Sequence, residues 1–263
     1  MAPDSRAGAG AGDGGRLLAL LREFPSEGYE RSFKMTAGAL FAERVLLGIP
    51  RSAARDEALV RACEALSMPV PFLDAFRNGL PGADTVHFGY ERAGASLLYK
   101  VYLEFARRLE GASAGVPLLL HLAYKWEPRD PGRRTLARYE CIPGLTIAQI
   151  LARLAQTDGP AAEVAGDIVA LAAERASEPL MYLDVKEDEN ARLSFDVNVH
   201  AAGMRLREVE PQLRSARQRF GVPRQAFEQL WDRIESETLG HVAGGRGRDG
   251  VAFLTLYHAV AAP

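Results

Sequence analysis

The sequence predicts an α+β fold, an antiparallel closed β-barrel of about ten strands with a polar lumen, surrounded by helices. Strand-like segments come as hairpins with helical segments between them, and hairpins are antiparallel, which excludes a parallel βαβ fold. Several strands alternate polar and apolar side chains. An apolar strand face must be covered, and the intervening helices are the apolar layer available for it. The polar faces then point to a common interior.

Hydrophobic periodicity places the elements along the chain. Strands are predicted at residues 29–35, 40–49, 85–91, 97–105, 118–126, 135–142, 180–186, 192–200, 240–245 and 251–260. Helices are predicted at residues 16–24, 53–66, 71–78, 146–156, 161–176, 206–220 and 224–237. Residues 1–15 are small, polar and glycine-rich, so they are expected to form a disordered tail before a barrel domain at 16–263.

The alternation is clearest in three strands. The predicted lumen-facing sets are Lys100, Tyr102 and Glu104; Tyr182, Asp184 and Lys186; and Ser194, Asp196, Asn198 and His200. The alternative is an open sheet whose polar face meets water, and alternation alone does not separate the two.

Composition excludes several classes of protein. The chain has 263 residues, 48% hydrophobic and 25% charged, so it can bury a large core. Its formal net charge of -2 argues against a nucleic-acid binder with a globally basic surface. Cys63 and Cys141 are predicted to be reduced core residues. No secretory signal or membrane-length apolar run is visible, so the expected location is cytoplasmic.

Other motifs carry little functional signal. Gly245, Gly247 and Gly250 spell G-x-G-x-x-G, but a strand-like segment follows them where a dinucleotide-binding site needs a helix. A hairpin loop is predicted instead. The five histidines lack a ligand spacing such as HExxH, and residues 184–189 lack the aspartate-rich spacing of helical isoprenoid synthases.

The first hairpin carries a distinctive set of residues. Residues 30–47 read ERSFKMTAGALFAERVLL, with Glu30 opening the first strand, Lys34 four residues on and Arg44 on the return strand. This stretch resembles the first hairpin of the cyanobactin-type peptide prenyltransferases, members of the wider ABBA class of prenyltransferase barrels.

Two further segments support the resemblance. Lys100-Val101-Tyr102 has the Lys-x-Tyr form used across the ABBA class, and residues 240–257 resemble a glycine-rich closing hairpin. The likeness is good over residues 28–105 and diffuse over 175–260, whereas residues 116–145 are not aligned.

The resemblance implies a transferase that moves a dimethylallyl or geranyl group from its diphosphate onto a side chain of a ribosomal, cyclic peptide. The leaving diphosphate needs fixed cations and neutral donors, because charge develops on it in the transition state. Arginine forks, lysine charges and tyrosine hydroxyls supply them, and aromatic faces stabilise the carbocation. The candidates for this shell are Arg44, Lys100, Tyr102, Lys125, Lys186 and Tyr257.

The acceptor must lose a proton as the new bond forms. Glu30 is the candidate base, or the group that orients the nucleophile. The candidates for the acceptor pocket are Asp196, Asn198 and His200.

Several of these assignments have a structural alternative. Glu30 and Lys34 could form a surface ion pair, Arg44 could form a buried salt bridge, and Lys100 and Tyr102 could lie on a solvated strand face.

Magnesium is implied by the resemblance, bound through the diphosphate, and no protein ligand for it is named. Two other functions stay open: a small-molecule aromatic prenyltransferase on the same barrel, and a non-catalytic peptide-binding protein of a biosynthetic cluster. The sequence leaves the acceptor residue, the prenyl length, the direction of attachment and the oligomeric state open.

Overall fold

The computed structural model describes residues 13–94, 96–157, 159–188 and 192–261, and the remainder of the predicted tail, residues 1–12, lies outside them. The strands are β1 Tyr29–Thr36, β2 Ala39–Phe41, β3 Arg44–Pro50, β4 Thr85–Ala93, β5 Ser96–Glu104, β6 Leu118–Glu127, β7 Asp130–Cys141, β8 Met181–Glu187, β9 Leu193–Asn198, β10 Leu239–Arg246 and β11 Ala252–Ala261. The α-helices are α1 Asp13–Leu21, α2 Asp56–Ala65, α3 Val70–Gly79, α4 Ile147–Ala155, α5 Pro160–Ala173, α6 Glu210–Arg219 and α7 Arg224–Ile234.

The strands form one antiparallel sheet that closes on itself. From β3 to β11 each strand pairs with its neighbours in chain order, β3 pairs with β1, and β11 pairs back with β1. The three-residue β2 lies beside the end of β1. The other ten strands therefore form the wall of a closed barrel, as the sequence predicts, and the open-sheet alternative is wrong.

Helix pairs cover the outside of the barrel. Helices α2 and α3 follow β3, α4 and α5 follow β7, and α6 and α7 follow β9. Their apolar faces pack against the outward residues of the strands to form two large cores. In one of them Trp126 is fully buried, and its indole N–H donates to the carbonyl of Leu66, 3.0 Å away, just beyond α2.

Local sequence sets where helices begin. Thr146 caps α4, its hydroxyl accepting from the backbone of Gln149 while the Gln149 side chain accepts from the Thr146 backbone. Proline stands in the first turn of α3, α5 and α6, where its missing N–H is not needed.

The predicted bounds need three corrections. Residues 13–15, predicted to belong to the tail, are already in α1. The predicted strand at 40–49 is two strands, β2 and β3, because residues 42–43 leave the ladder. The predicted helix at 206–220 begins with a separate 3₁₀ turn, Leu206–Val209, and the α-helix proper begins at Glu210, with Pro211 in its first turn.

The face predicted for β8 is also wrong. Leu183 pairs with Asp196 and therefore shares the lumen face, whereas Lys186 pairs with Arg138 on the outer face. The outer position of Tyr182 is covered by the helix layer, where the ring is buried. Both faces of β8 mix polar and apolar residues, so its polarity pattern does not define which face lies inward.

Smaller predictions are confirmed. Cys63 and Cys141 are free and buried. The G-x-G-x-x-G segment ends β10 and forms the hairpin loop to β11. Its first glycine, Gly245, has φ of +129°, and a Cβ there would lie 2.3 Å from the Leu193 carbonyl oxygen, so only glycine fits. Within the described residues, no helix has the length and apolar character needed to cross a membrane.

Candidate functional site

Two adjoining cavities occupy the barrel lumen. The larger, of about 290 Å³, is the cationic cavity, and the smaller, of about 220 Å³, is the acceptor cavity. Tyr102, Tyr139, Asp196 and Tyr257 line both, so these side chains stand where the two meet. The lumen is therefore divided into two chemically distinct halves with a largely aromatic boundary.

Basic side chains dominate the cationic cavity. Those within the lumen are Lys34, Arg44, Lys100, Lys125 and Arg192, and the more exposed Arg133 and Arg248 also line the cavity. Among the described residues, three carboxyl groups line it with them, Glu91, Asp196 and Asp249. Such an excess of positive charge in a partly closed space favours a multiply charged anion.

Glu91 is the carboxylate at the centre of the first cation group. It forms ion pairs with both Arg44 and Lys100, which are 8% and 9% exposed. Burial acts to raise the pKa of Glu91, but the charges of Arg44 and Lys100 outweigh it and hold the pKa well below its usual value. Burial and the charge of Arg44 lower the pKa of Lys100 to about 8, so Lys100 is charged at neutral pH.

A second group lies across the cavity. Arg192 donates to Glu187 at 2.7 Å, and Lys125 Nζ lies 3.8 Å from the same carboxylate. Burial and the neighbouring charge of Arg192 lower the pKa of Lys125. Lys34 Nζ lies 4.6 Å from the centre of the Phe253 ring, a cation–π contact that holds its ammonium group inside the cavity.

Tyrosine hydroxyls supply neutral donors between the halves. Burial raises the pKa of Tyr102, Tyr139 and Tyr257, so these phenols keep their protons. The rings of Tyr102 and Tyr139 meet edge to face at 5.7 Å. Neutral O–H groups can donate to an anion, and their ring faces can lie against a cation.

Replacing Glu91 with glutamine is expected to destabilise the fold by roughly 3 kcal/mol, because two buried cations lose their shared counterion. Urea unfolding at neutral pH measures it. Glu43→Gln is the matched control: its pair with Arg92 is exposed, so the change there should stay under about 1 kcal/mol. Equal values for the two variants would contradict the role given to Glu91.

The acceptor cavity holds a carboxylate–imidazole–carboxylate group. His241 Nδ1 lies 2.9 Å from Asp196 Oδ1, and its Nε2 lies 4.0 Å from Glu30 Oε2. Burial lowers the pKa of His241, but Asp196 and Glu30 together raise it to about 9, so the ring carries a proton at neutral pH. Burial raises the pKa of Glu30, and the charge of His241 opposes that rise.

This group makes stability depend on pH. The folded-state pKa of His241 lies above its ordinary value of 6.5. Its contribution is therefore fully present below about pH 6.5 and is lost as the pH rises to about 9. The expected loss is on the order of 1–2 kcal/mol, since water still reaches part of the ring.

Urea unfolding of the protein and of His241→Gln between pH 6 and pH 9.5 tests this. The difference in unfolding free energy between the two should shrink across that interval. His200→Gln serves as the control and should run parallel to the unaltered protein. A constant difference between the unaltered protein and His241→Gln would contradict the expectation.

Searches against known proteins support the fold. A scan against protein-family models finds no match, and a search of curated proteins finds none. Among solved structures, 5-dimethylallyltryptophan synthase from Streptomyces coelicolor matches with a TM-score of 0.61 at 16% identity, over 88% of this chain and 80% of that one. 6-Dimethylallyltryptophan synthase from Micromonospora olivasterospora, in complex with DMASPP and Trp, matches with a TM-score of 0.54 at 15% identity, over 88% of this chain and 81% of that one. This chain has the fold of the dimethylallyltryptophan synthases.

A third neighbour widens the group. NotF, in complex with brevianamide F and DMSPP, matches with a TM-score of 0.53 at 12% identity, over 88% of this chain and 79% of that one. The predicted ABBA barrel is therefore confirmed as the fold. Membership of the cyanobactin peptide-specific group stays a prediction.

The barrel brings most of the predicted site residues together. Five of the six diphosphate candidates line the cationic cavity: Arg44, Lys100, Tyr102, Lys125 and Tyr257. Glu30, Asp196 and Asn198 line the acceptor cavity. Their roles in catalysis stay predictions.

Two candidates lie elsewhere. Lys186 is on the outer face of β8, 58% exposed, where it donates to Glu140 at 2.7 Å, so the prediction that it binds diphosphate is corrected. His200 begins a 3₁₀ turn after β9, and its backbone N–H donates to the Asn198 side chain. It lines neither cavity, because the strand ends before its alternation would bring it inward.

Sequence reasoning missed residues that the pairing of the strands brings together around the lumen. They are Glu91, Tyr139, Glu187, Arg192 and His241. Glu91 is at an inward-facing position of β4, but the sequence does not reveal that it contacts both Arg44 from β3 and Lys100 from β5. The signal that could have identified Glu91 is a charged residue at a position that the alternation of β4 places inward.

Proposed function

We propose that the protein transfers a prenyl group from an isoprenoid diphosphate onto a nitrogen-bearing acceptor side chain. The observation that carries the proposal is the joined pair of cavities, one cationic and one lined by carboxyl groups, with tyrosines between them. The fold is shared with dimethylallyltryptophan synthases, which adds support.

The bonds that break and form in the proposed transfer all lie within the two cavities. The allylic C–O bond breaks, and its electron pair leaves with the diphosphate, which Arg44, Lys100 and Lys125 stabilise. The tyrosine rings shield the allylic cation from water and stabilise its charge. A nucleophilic atom of the acceptor then bonds to the allylic carbon, and the acceptor loses a proton to the Glu30 carboxylate.

The acceptor cavity indicates what kind of acceptor fits. Glu30, Glu104 and Asp196 face it, and each carboxylate accepts hydrogen bonds. His87 lies 2.7 Å from Glu104. Burial acts to raise the pKa of Glu104, but the hydrogen bond to His87 outweighs it and the pKa falls to about 2, so this carboxyl group is ionised. An indole, imidazole or guanidine N–H matches this lining better than a carboxylate would.

We further propose that the acceptor is part of a peptide. The support is the resemblance of residues 30–47 to the first hairpin of the cyanobactin-type peptide prenyltransferases. Free tryptophan and cyclic dipeptides are the competing acceptors, since neighbours of the same fold were crystallised with Trp or brevianamide F.

Magnesium is expected to act through the diphosphate. Mg²⁺ takes oxygen ligands in octahedral geometry. Among the described carboxyl groups that line the cationic cavity, Glu91 is held by Arg44 and Lys100. Asp196 is paired with His241, and Asp249 accepts from the backbone N–H of Val251. These engaged groups do not provide a free carboxylate set for the ion, which is therefore expected to take its oxygen ligands from the diphosphate.

Mass spectrometry tests the proposed transfer. The purified protein is incubated with Mg²⁺ and dimethylallyl or geranyl diphosphate, together with tryptophan, cyclic dipeptides and a mixed peptide panel. A mass gain of one isoprene or geranyl unit is expected, and Arg44→Ala should lose it. Fragmentation would identify the acceptor. No gain with any acceptor, together with no heat of diphosphate binding in calorimetry, would favour a non-catalytic binding protein.

A further inference from the structure

Three side chains outside the proposed proton path converge at the acceptor cavity. His87 lies on β4, Glu104 on β5 and His121 on β6, so they come from three consecutive strands. Glu104 pairs directly with His121 across the ladder, and His87 pairs with Tyr102, two residues from Glu104 on the same face. One ligand atom from each lies within 4.8 Å of the other two.

The arrangement leaves one nitrogen unsatisfied. His121 Nδ1 is buried and, within the described part of the chain, has no hydrogen-bond partner. A buried polar atom left unpaired destabilises the folded state, so a ligand or another partner is expected at such an atom. The His87–Glu104 contact of 2.7 Å already holds two of the three groups in place on rigid strands.

The donor types define the class of ion. Two imidazoles and one carboxylate form the ligand set of divalent transition metals, whereas Mg²⁺ and Ca²⁺ prefer oxygen ligands alone. Zinc sites with three protein ligands keep a fourth position open for water or substrate. Ligand atoms around zinc lie about 2.0–2.2 Å from the ion, so atoms bound to one ion lie up to about 4 Å apart, close to the 4.8 Å limit that the three atoms meet here.

We propose that His87, Glu104 and His121 bind a divalent transition-metal ion of the zinc class, with its open position facing the acceptor cavity. The same cavity is lined by Glu30, so an acceptor heteroatom could bind the ion there. This site is separate from any Mg²⁺ held by the diphosphate, because it lies in the other half of the lumen.

Calorimetry with Zn²⁺ tests the site on the full chain, purified without a polyhistidine tag and in excess Mg²⁺. One equivalent is expected to bind with a Kd in the micromolar range or below. His121→Gln and Glu104→Gln should each weaken binding by at least about tenfold, since each removes a ligand. Co²⁺ titration should give the visible absorption of a low-coordinate ion, and that spectrum should change in both variants.

Two matched variants locate the site. His200→Gln removes a histidine that lines neither cavity and should leave Zn²⁺ binding unchanged. His241→Asn removes the imidazole that lies between Asp196 and Glu30, and it should change the Kd for Zn²⁺ by less than about threefold. Circular dichroism checks that each variant is folded, and His87→Gln replaces whichever of the ligand variants His121→Gln and Glu104→Gln is not folded.

The outcomes are decisive in both directions. Lack of Zn²⁺ and Co²⁺ binding up to millimolar concentration would overturn the proposal. So would binding that is lost in His241→Asn but kept in His121→Gln, since the ion would then lie at Glu30, His241 and Asp196. Because no isoprenoid diphosphate is present, either result is independent of the proposed prenyl transfer.

Discussion

Lys100→Met is expected to lower kcat/KM for prenyl transfer by roughly 10²–10³-fold. Lys100 is buried beside Arg44 and stays charged at neutral pH, with its pKa at about 8. Methionine keeps the unbranched apolar part of the side chain and removes the charged group that would meet the departing diphosphate. Steady-state kinetics with the acceptor found by mass spectrometry measure the loss, and calorimetry with inorganic pyrophosphate should show weaker binding.

Lys186→Met is the matched control for this substitution. Lys186 lies on the outer face of the barrel and pairs with Glu140. The same change of residue there should leave kcat/KM and pyrophosphate binding unaltered. Similar losses in the two lysine variants would mean that the cationic cavity does not hold the diphosphate.

Glu30→Gln is expected to lower kcat by roughly 10²–10⁴-fold, because the amide keeps the shape of the carboxylate but does not take the acceptor proton. Glu30 faces the acceptor cavity and does not line the cationic one. Pyrophosphate binding should therefore stay unchanged. Burial raises the pKa of Glu30, so activity of the unaltered protein should fall on the acid side as this carboxyl group is protonated.

Glu140→Gln provides the control, since Glu140 is on the outer face of the barrel. A large rise in KM with little change in kcat for Glu30→Gln would assign Glu30 to orienting the acceptor. Full activity of Glu30→Gln would exclude both roles.

Much of the fold was predictable because the strands carry a two-residue period. In β5 the inward set Lys100, Tyr102 and Glu104 follows directly from alternation, and in β9 so do Asp196 and Asn198. Alternation failed for β8, where an apolar pair, Met181 and Leu183, forms the wall of the acceptor cavity. A lumen that must bind an organic group needs apolar wall as well as polar contacts, so polarity alone does not identify the inward face.

The residues of the site likewise include some that were predictable from the sequence and some that were not. Glu30, Arg44 and Lys100 were predicted from residue type and from the resemblance of the first hairpins. The proton held by His241 was not predictable, because its pKa depends on Asp196 from β9 and Glu30 from β1, which lie far apart in the chain.

By itself, then, the sequence determined the hairpin order, the helix pairs and the polar strand faces, since each follows from residues close together in the chain. The tertiary structure decided which charges meet. Closure of β11 onto β1 and the register of neighbouring strands set Glu91 between Arg44 and Lys100, and His241 between two carboxylates. Electrostatic energies depend on distance and burial, which exist only once the barrel has closed.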